Sequence, residues 1–106
     1  MSWEKLAILK AMLAACYYLH SCGYRRASMA LAAWTCSRAA FYFPKHERRL
    51  MDIRSKALRV RDLPLRPPIE ETLEPLADLT HVANDIEDEL LDEWRRQRAS
   101  TAPSSS

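Results

Sequence analysis

Residues 3–43 contain two long apolar runs separated by Gly23, the single glycine of the chain. Alanine, leucine and other good helix formers dominate both runs, and no proline interrupts either of them. Gly23 can adopt the left-handed conformation that commonly ends a helix, and Pro44 prevents a second helix from continuing. The pattern therefore predicts an apolar antiparallel hairpin, with one helix over 3–20 and the other over 24–43.

Neither predicted helix of the hairpin has a polar face. A helix that is apolar all round is buried in a protein core or in lipid, and the rest of the chain is too highly charged to be expected to wrap it. We therefore expect something outside the chain to cover the hairpin. Small side chains at four-residue spacing are expected to line the contact between the two helices, because they let two backbones approach closely. These residues are Ala7, Ala11 and Ala15 in the first helix and Ser28, Ala32, Cys36 and Ala40 in the second.

The charges of the chain are divided into blocks. The formal net charge is only +2, from 16 Lys and Arg against 14 Asp and Glu. Residues 1–66, however, hold 13 of the cations and 4 of the acids, whereas residues 67–93 hold 10 acids and no Lys or Arg. Blocks of opposite sign in one short chain either pair with each other or face two different partners.

Two amphipathic helices are predicted to carry these blocks. Apolar residues at a and d spacing predict a basic helix over 45–63, the prolines that follow it predict an extended link, and Pro75 suits the first turn of an acidic helix. The predicted fold is all-α. Its segments are an apolar hairpin over 1–44, a basic amphipathic helix over 45–63, a proline-rich link over 64–74, an acidic amphipathic helix over 75–98 and a polar tail over 99–106.

No constellation of residues predicts a chemical reaction. Cys16, Cys22 and Cys36 lack the compact spacing of a zinc site, and one glycine cannot build a phosphate-binding loop. The carboxylates of the acidic helix are not gathered around a predicted pocket, which general acid–base catalysis requires. We expect a protein that is not an enzyme, with no catalytic residues, cofactor, metal site or small-molecule substrate.

The sequence leaves open whether lipid or protein covers the hairpin. Its two apolar runs are at the lower limit of the ~17–25 residues that a transmembrane helix needs. They also contain Lys10 and Arg38, and a cation at the centre of a span costs ~2.5–3.5 kcal/mol. In a hairpin, however, both cations lie toward the same side and can extend to one membrane interface.

The function expected from these features is that of a non-catalytic accessory or scaffold subunit of a larger multiprotein assembly. By analogy with small helical supernumerary subunits, the leading setting is a membrane complex of the respiratory-chain or ATP-synthase type in the mitochondrial inner membrane. The alternatives are an adaptor in the cytoplasm that binds one protein through residues 3–43, and a nucleic-acid-binding protein that uses 45–63. The expected partners are other protein subunits on which the chain depends, with lipid as an additional contact and nucleic acid disfavoured.

Two sets of residues are expected to form the interfaces. The apolar set on the hairpin is expected to contact the partner and consists of Trp3, Leu9, Leu13, Tyr17, Trp34, Phe41 and Phe43. The charged set is expected to pair either within the chain or with partners, and it consists of Arg48, Arg49, Arg54, Arg59, Asp85 and Glu89.

Overall fold

The computed structural model describes residues 2–101, and within that range it contains four α-helices and no strand. The all-α prediction is therefore confirmed. The helices are α1 (Ser2–Ser21), α2 (Arg25–Tyr42), α3 (Glu47–Arg61) and α4 (Ile69–Thr101), and a 3₁₀ turn over Pro44–His46 joins α2 to α3.

A glycine turn reverses the chain between α1 and α2, as the sequence predicts. Gly23 has a φ of +89°, which an L side chain rarely adopts. Its backbone N–H donates to the His20 carbonyl at 3.0 Å, and that of Tyr24 donates to the Leu19 carbonyl at 2.9 Å. These bonds satisfy carbonyl groups that the end of a helix otherwise leaves free.

α1, α2 and α3 form a layer, and α4 lies across one side of it. α2 is the central helix of the layer because it packs against both α1 and α3, and α4 contacts all three. Leucine and other apolar side chains from every helix meet between the layer and α4. The larger core cluster contains Leu6, Leu9, Leu13, Cys36, Ala39, Ala40, Leu50, Ile53, Leu79, Val82, Ala83 and Ile86.

The charged half of the chain therefore does cover part of the hairpin, contrary to our expectation. α3 and α4 are amphipathic, and each presents a row of apolar side chains to the hairpin while its charged residues remain at the margins. Leu50 on α3 and Leu76 and Leu79 on α4 are completely buried in this way. An outside partner is thus not needed to cover the side of the hairpin that faces α4.

The predicted row of small residues is buried in the second helix of the hairpin but exposed in the first. Ser28, Ala32, Cys36 and Ala40 are buried, but Ala7, Ala11 and Ala15 are exposed. The buried row of α1 consists instead of Leu6, Leu9, Leu13 and Cys16. Burying leucine removes more apolar surface from water than burying alanine does, so the larger side chains of α1 pack against the small ones of α2.

α4 begins at Ile69 rather than near Pro75, so the predicted link and acidic helix both need correction. The Thr72 backbone N–H donates to the Pro68 carbonyl at 3.2 Å, and the Thr72 hydroxyl lies 2.9 Å from the Ile69 carbonyl oxygen. Acidic residues in the first turn also suit the helix dipole. Pro75 then lies inside the helix, where it removes one backbone hydrogen bond, but its ring is fully buried against the layer.

The C-terminal end of α4 extends beyond the other helices. All side chains over 92–99 are exposed, and the molecule measures 66 × 25 × 20 Å along its principal axes. The predicted polar tail therefore starts within α4, which runs to Thr101, and residues 102–106 lie outside the described residues.

Candidate protein-interaction surface

The two charge blocks of the sequence meet where α3 lies beside α4. Arg49 Nη1 lies 2.5 Å from Asp85 Oδ2. The Glu89 carboxylate has one oxygen 3.0 Å from His46 Nε2 and the other 3.5 Å from Lys45 Nζ. The Arg49 guanidinium lowers the pKa of Asp85, and hydrogen bonding to His46 lowers the pKa of Glu89. Three of the six predicted charged residues, Arg49, Asp85 and Glu89, therefore pair within the chain.

The same kind of pairing continues along both margins of α4. Lys56 Nζ lies 3.0 Å from a carboxylate oxygen of Glu74 and 3.0 Å from one of Asp78, and hydrogen bonds to these two carboxylates raise the pKa of Lys56. At the margin with α1, Lys10 forms an ion pair with Glu87. α4 is thus an acidic amphipathic helix whose apolar row is buried and whose flanking carboxylates meet cations of the layer.

The other three predicted charged residues behave differently. Arg48, Arg54 and Arg59 are exposed on α3 and form no ion pair with the residues that the structure describes. Arg59 lines a cleft on the α4 side of the helix, beside Glu71 and Glu74. The positive charge of Arg54 lowers the pKa of the Cys36 thiol on α2, against the larger rise that burial causes.

The apolar residues predicted to contact a partner fall into buried, partly buried and exposed groups. Leu9 and Leu13 are only 1% and 7% exposed, so in this fold a partner cannot reach them and the prediction is wrong for both. Tyr17 and Phe43 are partly buried against the same core. The structure leaves the remaining three exposed: Trp3, Trp34 and Phe41.

Two of these three belong to the central helix, on the side that faces away from α4. α2 has α1, α3 and α4 as neighbours, so the side opposite α4 is the one left open. Trp34, Arg38 and Phe41 are exposed there, at steps of three and four residues that keep them on one side of a helix. The Arg38 guanidinium lies over the Trp34 ring, 5.6 Å from its centroid.

The neighbouring helices extend this open side. On α1, Cys16 contacts α2 and Tyr17 contacts α4, which leaves a separate exposed row of Ile8, Ala11 and Ala15. Packed helices have axes ~8–10 Å apart, so this row adjoins the exposed row of α2. On α3, Arg54 lies in line with the buried Leu50 and Ala57, at steps of four and three residues, and away from Arg49 and Lys56, which pair with α4. We call the resulting surface the outer face, and we define it by Ile8, Ala11, Ala15, Trp34, Arg38, Phe41 and Arg54.

The outer face combines large exposed apolar side chains with cations. Ile8, Trp34 and Phe41 are 45%, 52% and 77% exposed, respectively. No acidic residue occurs between Lys5 and His46, so α2 contributes none to this surface. The exposed Glu4 lies in line with Ile8 on α1, and the exposed Glu47 lies in line with Arg54 on α3. Contiguous exposed apolar patches rimmed by polar residues mark interaction sites, which makes the outer face the candidate.

Sequence reasoning missed Ile8, Ala11, Ala15 and Arg38 as members of this surface. Two signals pointed to them. The stretch between Glu4 and Glu47 contains no acid, and the alanines of the first helix occupy a row different from that of its leucines. The charge of residues 1–66 taken together hides the first signal, because its 4 acids all lie outside that stretch.

The remaining polar and reactive groups do not gather into a second site. Burial raises the pKa of the Cys16 thiol, and it raises that of Cys36 to about 12, so both thiols stay protonated near neutral pH. Among the described residues, no group of three or more His, Cys, Asp or Glu side chains can hold a metal ion. A cleft of about 300 Å³ between α3 and α4 lies beside the ion pairs of Arg49 and Lys56, and its lining residues are Arg49, Asp52, Ile53, Lys56, Asp78 and His81.

Comparisons of the chain with protein-family models, curated proteins and solved structures found no match. No helix within the described residues has the length and hydropathy needed to span a membrane.

Proposed function

We propose that the chain is a non-catalytic accessory or scaffold subunit that joins a larger protein assembly through the outer face. The observation that carries this proposal is the exposure of Trp34 and Phe41 on a helix that is packed on its other sides. Aromatic side chains of this size dominate binding energy when a partner buries them. A packed helix also holds them in place, so little conformational freedom is lost on binding.

The distribution of charge favours this role over nucleic-acid binding, the second alternative. A nucleic-acid site uses a continuous set of unpaired cations to contact phosphates. On α3, however, Arg49 and Lys56 are engaged by carboxylates of α4, and the cations of the helix are divided between two sides. Neither of the two protein-binding settings, a membrane complex or a single partner in solution, is favoured by the geometry over the other.

The proposal is tested by co-purification of the tagged full chain with its partners at native abundance. The variant Trp34→Ala/Phe41→Ala removes two outer-face side chains that are 52% and 77% exposed. We expect it to lose partner recovery about tenfold or more, because truncating a single aromatic hot spot costs ~2 kcal/mol. Its helical circular dichroism should match that of the unmodified chain.

A matched control is available elsewhere on the molecule. Trp94→Ala/Leu65→Ala also removes a tryptophan and a second apolar side chain, which are 46% and 80% exposed, but at the end of α4 and in the link. We expect this control to recover the same partners as the unmodified chain. Equal recovery by the outer-face variant and the control would contradict the proposed function.

A further inference from the structure

The side of the layer that faces α4 shows what kind of element these helices bind. α4 contributes an apolar row that includes Leu79, Val82 and Ile86, all at most 1% exposed. Its carboxylates reach cations on both sides of that row, with Glu87 paired to Lys10 on α1 and Asp85 paired to Arg49 on α3. The layer therefore already binds one acidic amphipathic helix, through apolar contact at the centre and ion pairs at the margins.

The outer face repeats this chemistry on the opposite side of the same helices. Its centre is apolar, with Trp34 and Phe41 on α2, and its exposed alanines on α1 leave room for the side chains of another helix to approach. Its cations are Arg38 and Arg54, and neither forms an ion pair with a residue that the structure describes. The difference is that no acidic segment of the described chain covers it.

We propose that the outer face binds an acidic amphipathic helix of a partner protein, with its apolar row on Trp34 and Phe41 and its carboxylates at Arg38 and Arg54. This inference rests on the proposed function, which it deepens by stating the chemical class of the partner. A second copy of the chain is the occupant that the test must exclude, because the exposed Glu4 and Glu47 lie in line with Ile8 and Arg54 and would offer carboxylates to the cations of another copy.

The test uses tryptophan fluorescence of the full chain in which Trp34 is the remaining tryptophan, after Trp3→Phe and Trp94→Phe. Two designed helical peptides serve as probes, one with leucine at a and d positions and glutamate elsewhere, and one with lysine in place of every glutamate. Phosphatidylserine vesicles and neutral phosphatidylcholine vesicles form the lipid arm. We expect the acidic peptide to shift the Trp34 emission, and we expect the basic peptide and both vesicles to leave it unchanged.

Charge reversal makes the test specific to position. Arg38→Glu/Arg54→Glu on the outer face should weaken binding of the acidic peptide about tenfold at low salt, as expected for the loss of two exposed ion pairs. It should also create binding of the basic peptide. Arg48→Glu/Arg59→Glu makes the same change in net charge, but at two cations that lie outside the outer face. It should alter the affinity for either peptide by no more than about twofold, because salt screens the interaction between charges that are far apart.

Several outcomes would overturn the inference. These are equal binding of the two peptides, equal effects of the two charge reversals, a Trp34 response to phosphatidylserine vesicles stronger than that to the acidic peptide, and self-association of the chain that itself shifts Trp34. If the acidic peptide fails while Trp34→Ala/Phe41→Ala still abolishes partner recovery, the partner class is wrong and the proposed function stands. If partner recovery is insensitive to that variant, the proposed function itself fails.

Discussion

The two sides of the layer formed by α1, α2 and α3 carry similar apolar and cationic side chains, but only one side is covered by another helix of the chain. On the side that faces α4, apolar side chains such as Leu9 and Leu50 are at most 1% exposed, and marginal cations are paired with carboxylates. On the outer face, Trp34 and Phe41 are 52% and 77% exposed, and Arg54 has no carboxylate partner among the described residues. An apolar helix of this chain is thus covered by the chain itself on one side and left open on the other.

Truncating a large side chain should lower the free energy of unfolding far more on the side that faces α4 than on the outer face. Leu79→Ala removes a completely buried leucine of α4, and we expect it to lower the free energy of unfolding by ~2–5 kcal/mol through lost burial and a residual cavity. Trp34→Ala on the outer face should lower it by no more than ~1.5 kcal/mol, because about half of that side chain is already exposed. Urea denaturation followed by circular dichroism measures both. A comparable loss in the two variants would mean that Trp34 stabilises the fold and that the outer face is not a free surface.

A smaller effect separates the paired cations from the unpaired ones. Lys56→Met removes a cation that contacts Glu74 and Asp78, and we expect a loss of ~0.2–1 kcal/mol at low salt. This loss should shrink in 1 M salt, at a Debye length of ~3 Å. Arg54→Met removes a cation with no ion pair and should leave the free energy of unfolding unchanged at either salt concentration. Equal salt-dependent losses in both variants would remove the electrostatic distinction between the two sides.

The smallest effect concerns pH at the point where α1 meets the start of α4. His20 Nε2 lies 2.6 Å from the Thr72 hydroxyl, and burial, together with the nearby Arg25 charge, lowers the pKa of His20 below its ordinary value of 6.5. The unfolded chain therefore binds a proton at higher pH than the folded one. The contribution of His20 to stability should be complete above pH 6.5 and should fall as the pH drops toward the lowered pKa.

Thermal unfolding at pH values from about 7.5 to about 5.5 checks this direction, since unperturbed histidine titrates within that range. His20→Gln supplies the control, because glutamine has no charge to gain and should flatten the dependence. The carboxylate of Glu89 has its pKa lowered from 4.5, so its own loss of stabilisation begins at more acidic pH. The same pH dependence in the unmodified chain and in His20→Gln would contradict the assigned environment of His20.

The sequence predicted the local structure of the hairpin well because the decisive signals are themselves local. An uninterrupted apolar run, Gly23 and Pro44 determine where α1 and α2 end, and each of these acts on its immediate neighbours. The start of α4 was harder to predict. Pro75 suits a first helical turn, but contacts between Thr72 and His20, which are 52 residues apart in the sequence, favour a helix that already exists at that point.

The candidate site was only partly predictable, for a related reason. Periodicity identifies rows of apolar residues on a helix that is apolar all round, but it does not say which row the rest of the chain will cover. The Ala11 row and the Leu9 row of α1 are both apolar, and only the packing of α4 assigns one to solvent and the other to the core. The pairing of Arg49 with Asp85 likewise depends on α4 folding back across the layer. The charge pattern of the sequence is compatible with this pairing and equally with two separate partners.

Hydroxyl-radical footprinting of the chain, alone and in its purified assembly, tests whether the outer face is the surface that the assembly covers. It measures side-chain accessibility residue by residue, and the exposed aromatic side chains are among the most reactive toward the probe. We predict that Trp34 and Phe41 become protected in the assembly, while Trp94 and Leu65, which are 46% and 80% exposed in the chain alone, keep their reactivity. Protection of Trp94 and Leu65 with unchanged reactivity at Trp34 and Phe41 would show that the assembly binds elsewhere and would contradict the account.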